Sequence, residues 1–175
     1  MRSGLAQNDG GFLGVNAPNL QSSIYNLQSV NIRPATPADV AAMMALERRA
    51  ATAAHWSEAD YVRLFLPGGD RLALVLEEAE VEAFIVARGV GTEWEIENIA
   101  VAGPARRRGL GAHLLVELLD RVRAAGARNI FLEVRESNRA ARSLYEKWAF
   151  VESGRRKCYY HQPDEDAILY RFTFP

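Results

Sequence analysis

The sequence predicts an α+β fold of about seven strands and about four helices. Three observations predict it. Apolar periodicity runs in the order β, α, α, β, β, β, α, β, α, β, β. The three strands between Leu72 and Val101 are separated by turns too short for crossovers, so they pair antiparallel. The chain has 175 residues, 49% of them hydrophobic, enough for one domain with a proper core, and it shows no repeat or second core.

The elements follow in order. Residues 1–29 are rich in Gly, Asn, Gln and Ser without periodicity and are predicted to be a flexible tail. Residues 30–175 form the domain. Val30-Asn31-Ile32-Arg33-Pro34 is a short first strand. Thr36 caps a helix with Pro37 at its first position and Asp39 as the acid of a capping box; Val40, Met43, Met44 and Leu46-Glu47 carry its buried stripe. A second box, Ser57-Glu58-Ala59-Asp60, opens a helix through Tyr61, Leu64 and Phe65 that Pro67-Gly68-Gly69 ends. Strands follow at Leu72–Leu76, Val81–Ala87 and Glu93–Val101. A long helix carries Leu110, Leu114, Leu115, Leu118, Leu119 and Val122 on one side and stops at Gly126. Asn129–Val134 is a mostly apolar strand, predicted to be central. Arg139–Lys147 is a helix capped by Ser137 or Asn138, and Val151–Tyr160 with Ala167–Phe174 closes the chain as a hairpin.

Composition excludes several classes. Net charge is −1, against a dedicated nucleic-acid binder, so no DNA partner is expected. The single Cys158 precludes an internal disulfide and points to a reducing compartment. No apolar run approaches the ~20 residues of a membrane helix, so no membrane partner is expected and a cytoplasmic location follows by elimination. His55, His113 and His161 lack ligand spacing, so no metal is assigned. A monomer is expected, with a dimer as the alternative.

Chemistry concentrates between Glu93 and Ala112. An apolar strand runs into Arg106-Arg107-Arg108-Gly109-Leu110-Gly111 and then into the amphipathic helix. A helix N-terminus offers unpaired N–H groups and partial positive charge. Gly109 and Gly111 let the backbone approach a ligand and take conformations closed to other residues. The arginines add charge-assisted contacts to phosphate. Together they form a phosphate or pyrophosphate cradle. The Gly-Lys-Ser/Thr ending of the ATP loop and the three spaced glycines of the dinucleotide fold are both missing. A plain basic turn is the competing reading.

The spacing Arg-x-x-Gly-x-Gly resembles the acyl-CoA loop of the Gcn5-related N-acetyltransferases (GNAT). Asn98-Ile99-Ala100-Val101, Phe131–Asn138, Ala140–Lys147, Tyr159-Tyr160, Pro163 and Glu165-Asp166-Ala167 are similar, in order, to the RimI family of that superfamily. Those are bacterial enzymes that acetylate the N-terminal alanine of a small-subunit ribosomal protein. The superfamily resemblance covers residues 30–174 and is strongest from 98 to 167.

The resemblance implies the GNAT fold, in which the strands form one mixed, mostly antiparallel twisted sheet, splayed between the fourth strand, Glu93–Val101, and the fifth, Asn129–Val134. It implies acetyl-CoA as cosubstrate. The pantetheine arm would pair with Ile99, Ala100 and Val101. The pyrophosphate would lie on Arg106, Arg107, Arg108, Gly109, Leu110, Gly111 and Ala112, with Asn138 and Tyr145 also touching the cosubstrate. By motif, Glu133 would be the general base and Tyr145 the general acid of a direct transfer. The acceptor would be the N-terminus of a ribosomal or other protein. Trp56, Glu133, Tyr159 and Tyr160 would line its groove.

Competing assignments stay open. Glu97 and Glu95 share one face of the fourth strand and are alternative bases. Glu133 is otherwise a strand-end carboxylate held by an arginine, with Arg135 the nearest in sequence. A small amine, amino acid or lysine side chain is the alternative acceptor, and an acyl-CoA-binding module the alternative to an enzyme. The chain departs from the family at Ala149, where glycine is usual; alanine resists the left-handed cap conformation, so a different end to the tyrosine helix is expected. The approach Ala54-His55-Trp56-Ser57 also lacks the family's proline.

Overall fold

The computed structural model describes residues 30–50, 56–161 and 163–175. The predicted tail, 1–29, and Ala54-His55 lie outside them.

The predicted element order holds. Strand β1 (Asn31–Pro34) leads through a 3-10 turn (Pro37–Asp39) into α1 (Val40–Arg48). The Asp39 carboxylate accepts the Thr36 N–H at 2.7 Å and its hydroxyl at 2.9 Å, and Arg33 pairs with it at 2.8 Å. Helix α2 (Glu58–Arg63) begins with a closed capping box: Asp60 N–H donates to Ser57 Oγ at 3.3 Å and Ser57 N–H to Asp60 Oδ2 at 3.0 Å. Then come β2 (Arg71–Glu77), β3 (Val81–Val90), β4 (Glu93–Val101), α3 (Leu110–Ala124), β5 (Asn129–Arg135), α4 (Arg139–Lys147), β6 (Val151–Tyr160) and β7 (Glu165–Thr173).

The seven strands form one sheet in the order β1-β2-β3-β4-β5-β7-β6. All neighbours are antiparallel except β4 and β5, which run parallel. Helices cover both faces. On one side Leu110, Leu114, Leu115, Leu118 and Val122 of α3 pack with Leu74, Ile85, Ile130 and Leu132, and Tyr145 of α4 joins them. Each buried side chain of this stripe contributes about 1.5–3 kcal/mol of burial free energy. On the other side Met43, Leu46, Tyr61 and Leu64 of the α1–α2 region pack on Val75, Phe84, Val86 and Ala100. Strands β2 and β3 are buried on both faces: Leu74, Leu76, Ala83, Ile85 and Ala87 face α3, while Val75, Phe84 and Val86 face α1. Strand β5 is central in sheet order, as expected, but only Ile130, Leu132 and Val134 are buried; Phe131, Glu133 and Arg135 face a partly open side. Among the described residues no helix is long and apolar enough to cross a membrane.

Two local features set up the site. Strand β4 carries a bulge: Ile96 pairs with Ala87 and Asn98 with Val86, leaving Glu97 without a cross-strand partner. And β4 pairs with β5 only from Glu93↔Asn129 to Ile96↔Leu132, after which the two strands part.

Candidate active site

The parting of β4 and β5 opens a cleft of about 820 Å³. No strand of the sheet pairs with β4 on that side beyond Ile96, so edge backbone groups between Glu97 and Val101 are left for an added strand-like partner. Every predicted site residue except Arg108 lines this cleft, from Trp56 through the β4 and loop residues to Glu133, Asn138, Tyr145, Tyr159 and Tyr160. Arg108 turns away and pairs with Glu78 at 2.5 Å.

At the floor of the loop, Arg107 and Gly109 both take positive φ, 64° and 84°. Arg106 is extended, and the left-handed turns at Arg107 and Gly109 lead the backbone into the first turn of α3, whose free N–H groups favour an anion. Arg106 Nε donates to the Val101 carbonyl at 3.2 Å and ties the loop to the end of β4. Gly111 differs from the expectation. It lies in the first turn of α3 without positive φ, and a Cβ there would meet Leu144 and Val101 at an ordinary 3.6 Å. Only Gly109 needs glycine's conformational freedom.

Helix α4 brings Tyr145 to the opposite wall. Asn138, rather than Ser137, is its cap: Asn138 Oδ1 accepts the Ala141 N–H at 3.2 Å. Tyr170 of β7 accepts from Arg142 at 3.2 Å and donates to Glu146 at 2.5 Å, pinning the helix. The Tyr145 ring packs 5.6 Å from Phe150 and 6.2 Å from Tyr170. Its hydroxyl makes no hydrogen bond among the described residues, and burial pushes its pKa well above the ordinary tyrosine value. It is a neutral donor waiting for an acceptor. The end of α4 corrects the expectation drawn from Ala149: the residue adopts φ 62°, the glycine-like conformation, despite its Cβ. The tyrosine helix therefore ends as it would with glycine, at a conformational cost of roughly 1–2 kcal/mol.

Three carboxylates line the cleft, and their surroundings separate them. Glu97 accepts both Arg71 Nε and Nη2, at 2.7 and 3.0 Å, so its lone pairs are committed. Glu133 is paired with Arg156 at 3.1 Å, not with Arg135, which pairs instead with Glu165 at 3.3 Å and lies 4.3 Å over the Tyr160 ring. Arg156 is itself exposed and reaches across from β6, with its guanidinium 5.2 Å from the Tyr159 ring. Glu95 is open to solvent, and its carboxyl is pushed up, first by partial dehydration and then by the Glu133 and Glu97 charges. Tyr159 is pushed up first by the Glu133 carboxylate it faces. Burial, then Glu133, raises Tyr160 to about 12.

Sequence reasoning assigned no site role to Asn98, which lines the cleft, to Glu47, which holds it from α1, or to Arg156, which reaches Glu133 from β6. Arg156 had no local signal, because its partner lies in another strand. Glu47 had one: it follows Met43 by four residues, so it occupies an apolar register of α1. Among the described residues no three His, Cys, Asp or Glu side chains assemble as a metal set.

A seven-stranded sheet split between parallel β4 and β5, with an Arg/Gly loop at the head of α3 beside the split, defines an N-acetyltransferase. The chain belongs to the Acetyltransferase (GNAT) family, whose profile matches residues 40–150. It is 38% identical over 141 residues to the [Ribosomal protein bS18]-alanine N-acetyltransferase of Salmonella typhimurium, covering 75% of this chain and 88% of that one. The crystal structure of the ribosomal-protein-S18-alanine N-acetyltransferase from Escherichia coli superposes with a TM-score of 0.74 at 33% identity, covering 82% of this chain and 93% of that one. Arabidopsis thaliana NAA60 in complex with acetyl-CoA matches at TM-score 0.74 and 19% identity over 83% of this chain and 98% of that one, a likeness of fold.

Proposed function

We propose that this chain transfers the acetyl group of acetyl-CoA to the N-terminal amine of a protein, namely the N-terminal alanine of ribosomal protein bS18. The observation that carries the reading is the cleft where β4 and β5 part, lined by Glu133 of β5 and by Tyr145 of α4, whose hydroxyl makes no hydrogen bond among the described residues. The similarity to two bS18-alanine N-acetyltransferases supports the acceptor. The single-cysteine composition agrees with action in the cytoplasm.

The pantetheine arm extends along the free edge of β4, and the pyrophosphate sits on Arg106, Arg107 and the N–H groups from Gly109 to Ala112. The acceptor amine arrives between Trp56 and the Tyr159-Tyr160 end of β6. A free α-amine has a pKa of ~7.7–8.0, so much of it is protonated near neutral pH. Glu133 takes that proton through a water, as a carboxylate whose ion-pair partner, Arg156, is exposed and displaceable. The neutral nitrogen attacks the thioester carbon, and a backbone N–H of β4 receives the oxyanion. The attacking nitrogen, now cationic, gives its second proton to solvent as the carbon–sulfur bond breaks; the leaving thiolate takes the Tyr145 proton, and solvent returns one proton to Tyr145 and removes the one held by Glu133. Products are the N-acetyl peptide and free CoA.

The test is CoA release with two peptides: one carrying the N-terminal sequence of bS18 with a free alanine, and one with that terminus blocked and a lysine placed internally. Turnover on the free alanine alone is the expected result. Turnover on the blocked peptide would move the acceptor to lysine, and silence on both with acetyl-CoA bound would leave a binding module.

A further inference from the structure

The most buried charge in the described structure takes no part in the chemistry above. Glu47 of α1 is 2% exposed and has no cationic partner among the described residues. Burying an unpaired carboxylate is expensive, and it persists only where donors surround it. Here both its oxygens accept the Trp56 N–H, at 3.0 and 3.1 Å, and Oε1 accepts Asn98 Nδ2 at 2.7 Å. The Tyr61 hydroxyl lies 3.5 Å from the same Asn98 nitrogen. Trp56 and Asn98 both line the cleft, one from the head of α2 and one from the residue after the β4 bulge.

Glu47 also fixes which way Asn98 points. A carboxylate only accepts, so the amide nitrogen must face it; the reverse orientation would set oxygen against oxygen. The Asn98 carbonyl is then turned away and has no partner among the described residues.

We propose that Glu47 is a positioning residue for the acceptor side of the site. It clamps Trp56, a wall of the groove, to Asn98 on the strand that carries acetyl-CoA, and so fixes the position of the wall against which the incoming peptide lies. The inference rests on the peptide-acceptor reading above, and it assigns to Glu47 peptide recognition rather than proton transfer.

Glu47→Gln is the test. Glutamine keeps the shape but has one accepting atom, and its NH₂ must abut either the Trp56 N–H or the Asn98 amide. The expected result is a KM for the free-alanine peptide at least about tenfold higher, the worth of one charge-assisted hydrogen bond. The Kd for acetyl-CoA, by calorimetry, stays within about twofold. Met43→Ala is the stability control, since it hollows the core under α1 at a residue that does not line the cleft; its KM stays unchanged. An unmoved KM in Glu47→Gln, or an equal rise in Met43→Ala at a matched loss of Tm, overturns the proposal. Asn98→Ala, which leaves the Glu47–Trp56 bonds, raises the peptide KM in the same way and serves if Glu47→Gln fails to fold. A readout that needs no acceptor is the Trp56 amide resonance in a ¹⁵N–¹H spectrum: it moves upfield in Glu47→Gln, and an unmoved resonance refutes the clamp. Silence of the unaltered enzyme on the free-alanine peptide would therefore sink the acceptor reading alone.

Discussion

Tyr145→Phe separates catalysis from architecture at this site. The substitution removes one oxygen and keeps the ring that packs against Phe150 and Tyr170. That oxygen makes no hydrogen bond among the described residues, so no native bond is lost, and the unfolding free energy should stay within the small range of a neutral change, about 0.5 kcal/mol. Loss of a positioned general acid, by contrast, lowers turnover by roughly 10²–10⁴-fold. Acetyl-CoA affinity should hold within about twofold, since the Arg/Gly loop and the β4 edge are untouched. The assay is thiol release at saturating peptide, with calorimetric titration of acetyl-CoA beside it. The direction of the Tyr145 shift adds a second arm: burial raises its pKa, so the neutral donor form persists above the ordinary tyrosine value. Turnover of the unaltered enzyme should show no fall as pH rises through ~10, where a free tyrosine ionises. Turnover of Tyr145→Phe within about threefold of the unaltered enzyme would remove Tyr145 from the mechanism, and a descending limb centred near the free-tyrosine value would refute its buried, protonated state.

Glu133→Gln should reduce kcat most below about pH 7, where the acceptor amine is protonated, and least above its own pKa of ~7.7–8.0; an unchanged pH profile would transfer the base to Glu95, the raised carboxyl beside it. Gly109→Ala should cost roughly 1–2 kcal/mol from its φ of 84° and weaken acetyl-CoA binding by calorimetry, and unimpaired binding would dismiss the loop as the anion site. Gly111→Ala, with helical backbone and no contact closer than 3.6 Å, should keep acetyl-CoA affinity and gain about 1 kcal/mol of helix propensity in thermal melts; a loss of affinity would show that a ligand group occupies that space. Ala149→Gly should relieve the strain at φ 62° and raise Tm by about 2–4 °C without changing kcat, and an unmoved Tm would mean that the helix end relaxes instead.

Local signals carried most of the fold. The stripe from Leu110 to Val122 can be read from spacing because a helix repeats every 3.6 residues, and all six of its predicted apolar positions are buried. The Ser57–Asp60 box can be read because capping is a contact between near neighbours. Long-range pairings left no such trace. Nothing near Glu133 announces Arg156, which reaches it from a strand ordered two places away in the sheet. Nothing near Glu97 announces Arg71, 26 residues earlier. Propensity misled at Ala149 for a physical reason: the Cβ penalty is about 1–2 kcal/mol, and the packing of Tyr145 and Phe150 into the core outweighs it.

The bulge at Glu97 explains why one strand can serve two substrates. Strict alternation along β4 would set Trp94, Ile96, Asn98 and Ala100 on one face and Glu95, Glu97, Ile99 and Val101 on the other. Asn98 would then lie with Ile96 in the apolar layer under α3, an amide with no carboxylate to meet it. One extra residue reverses the phase. Trp94 and Ile96 pack toward α3, and beyond the bulge so do Ile99 and Val101, while Ala100 joins the α1 layer and Asn98 meets Glu47 from α1. The same residue bends β4 where its pairing with β5 stops, at Ile96. Two carboxylate contacts hold the irregular point, Arg71 on Glu97 from β2 and Glu47 on Asn98 from α1. Opening of the cleft, exposure of the β4 edge and placement of the acceptor wall therefore depend on one inserted glutamate. Its charge is spent on fixing the strand, which accords with our proposal that Glu133, across the gap, takes the proton of the acceptor amine.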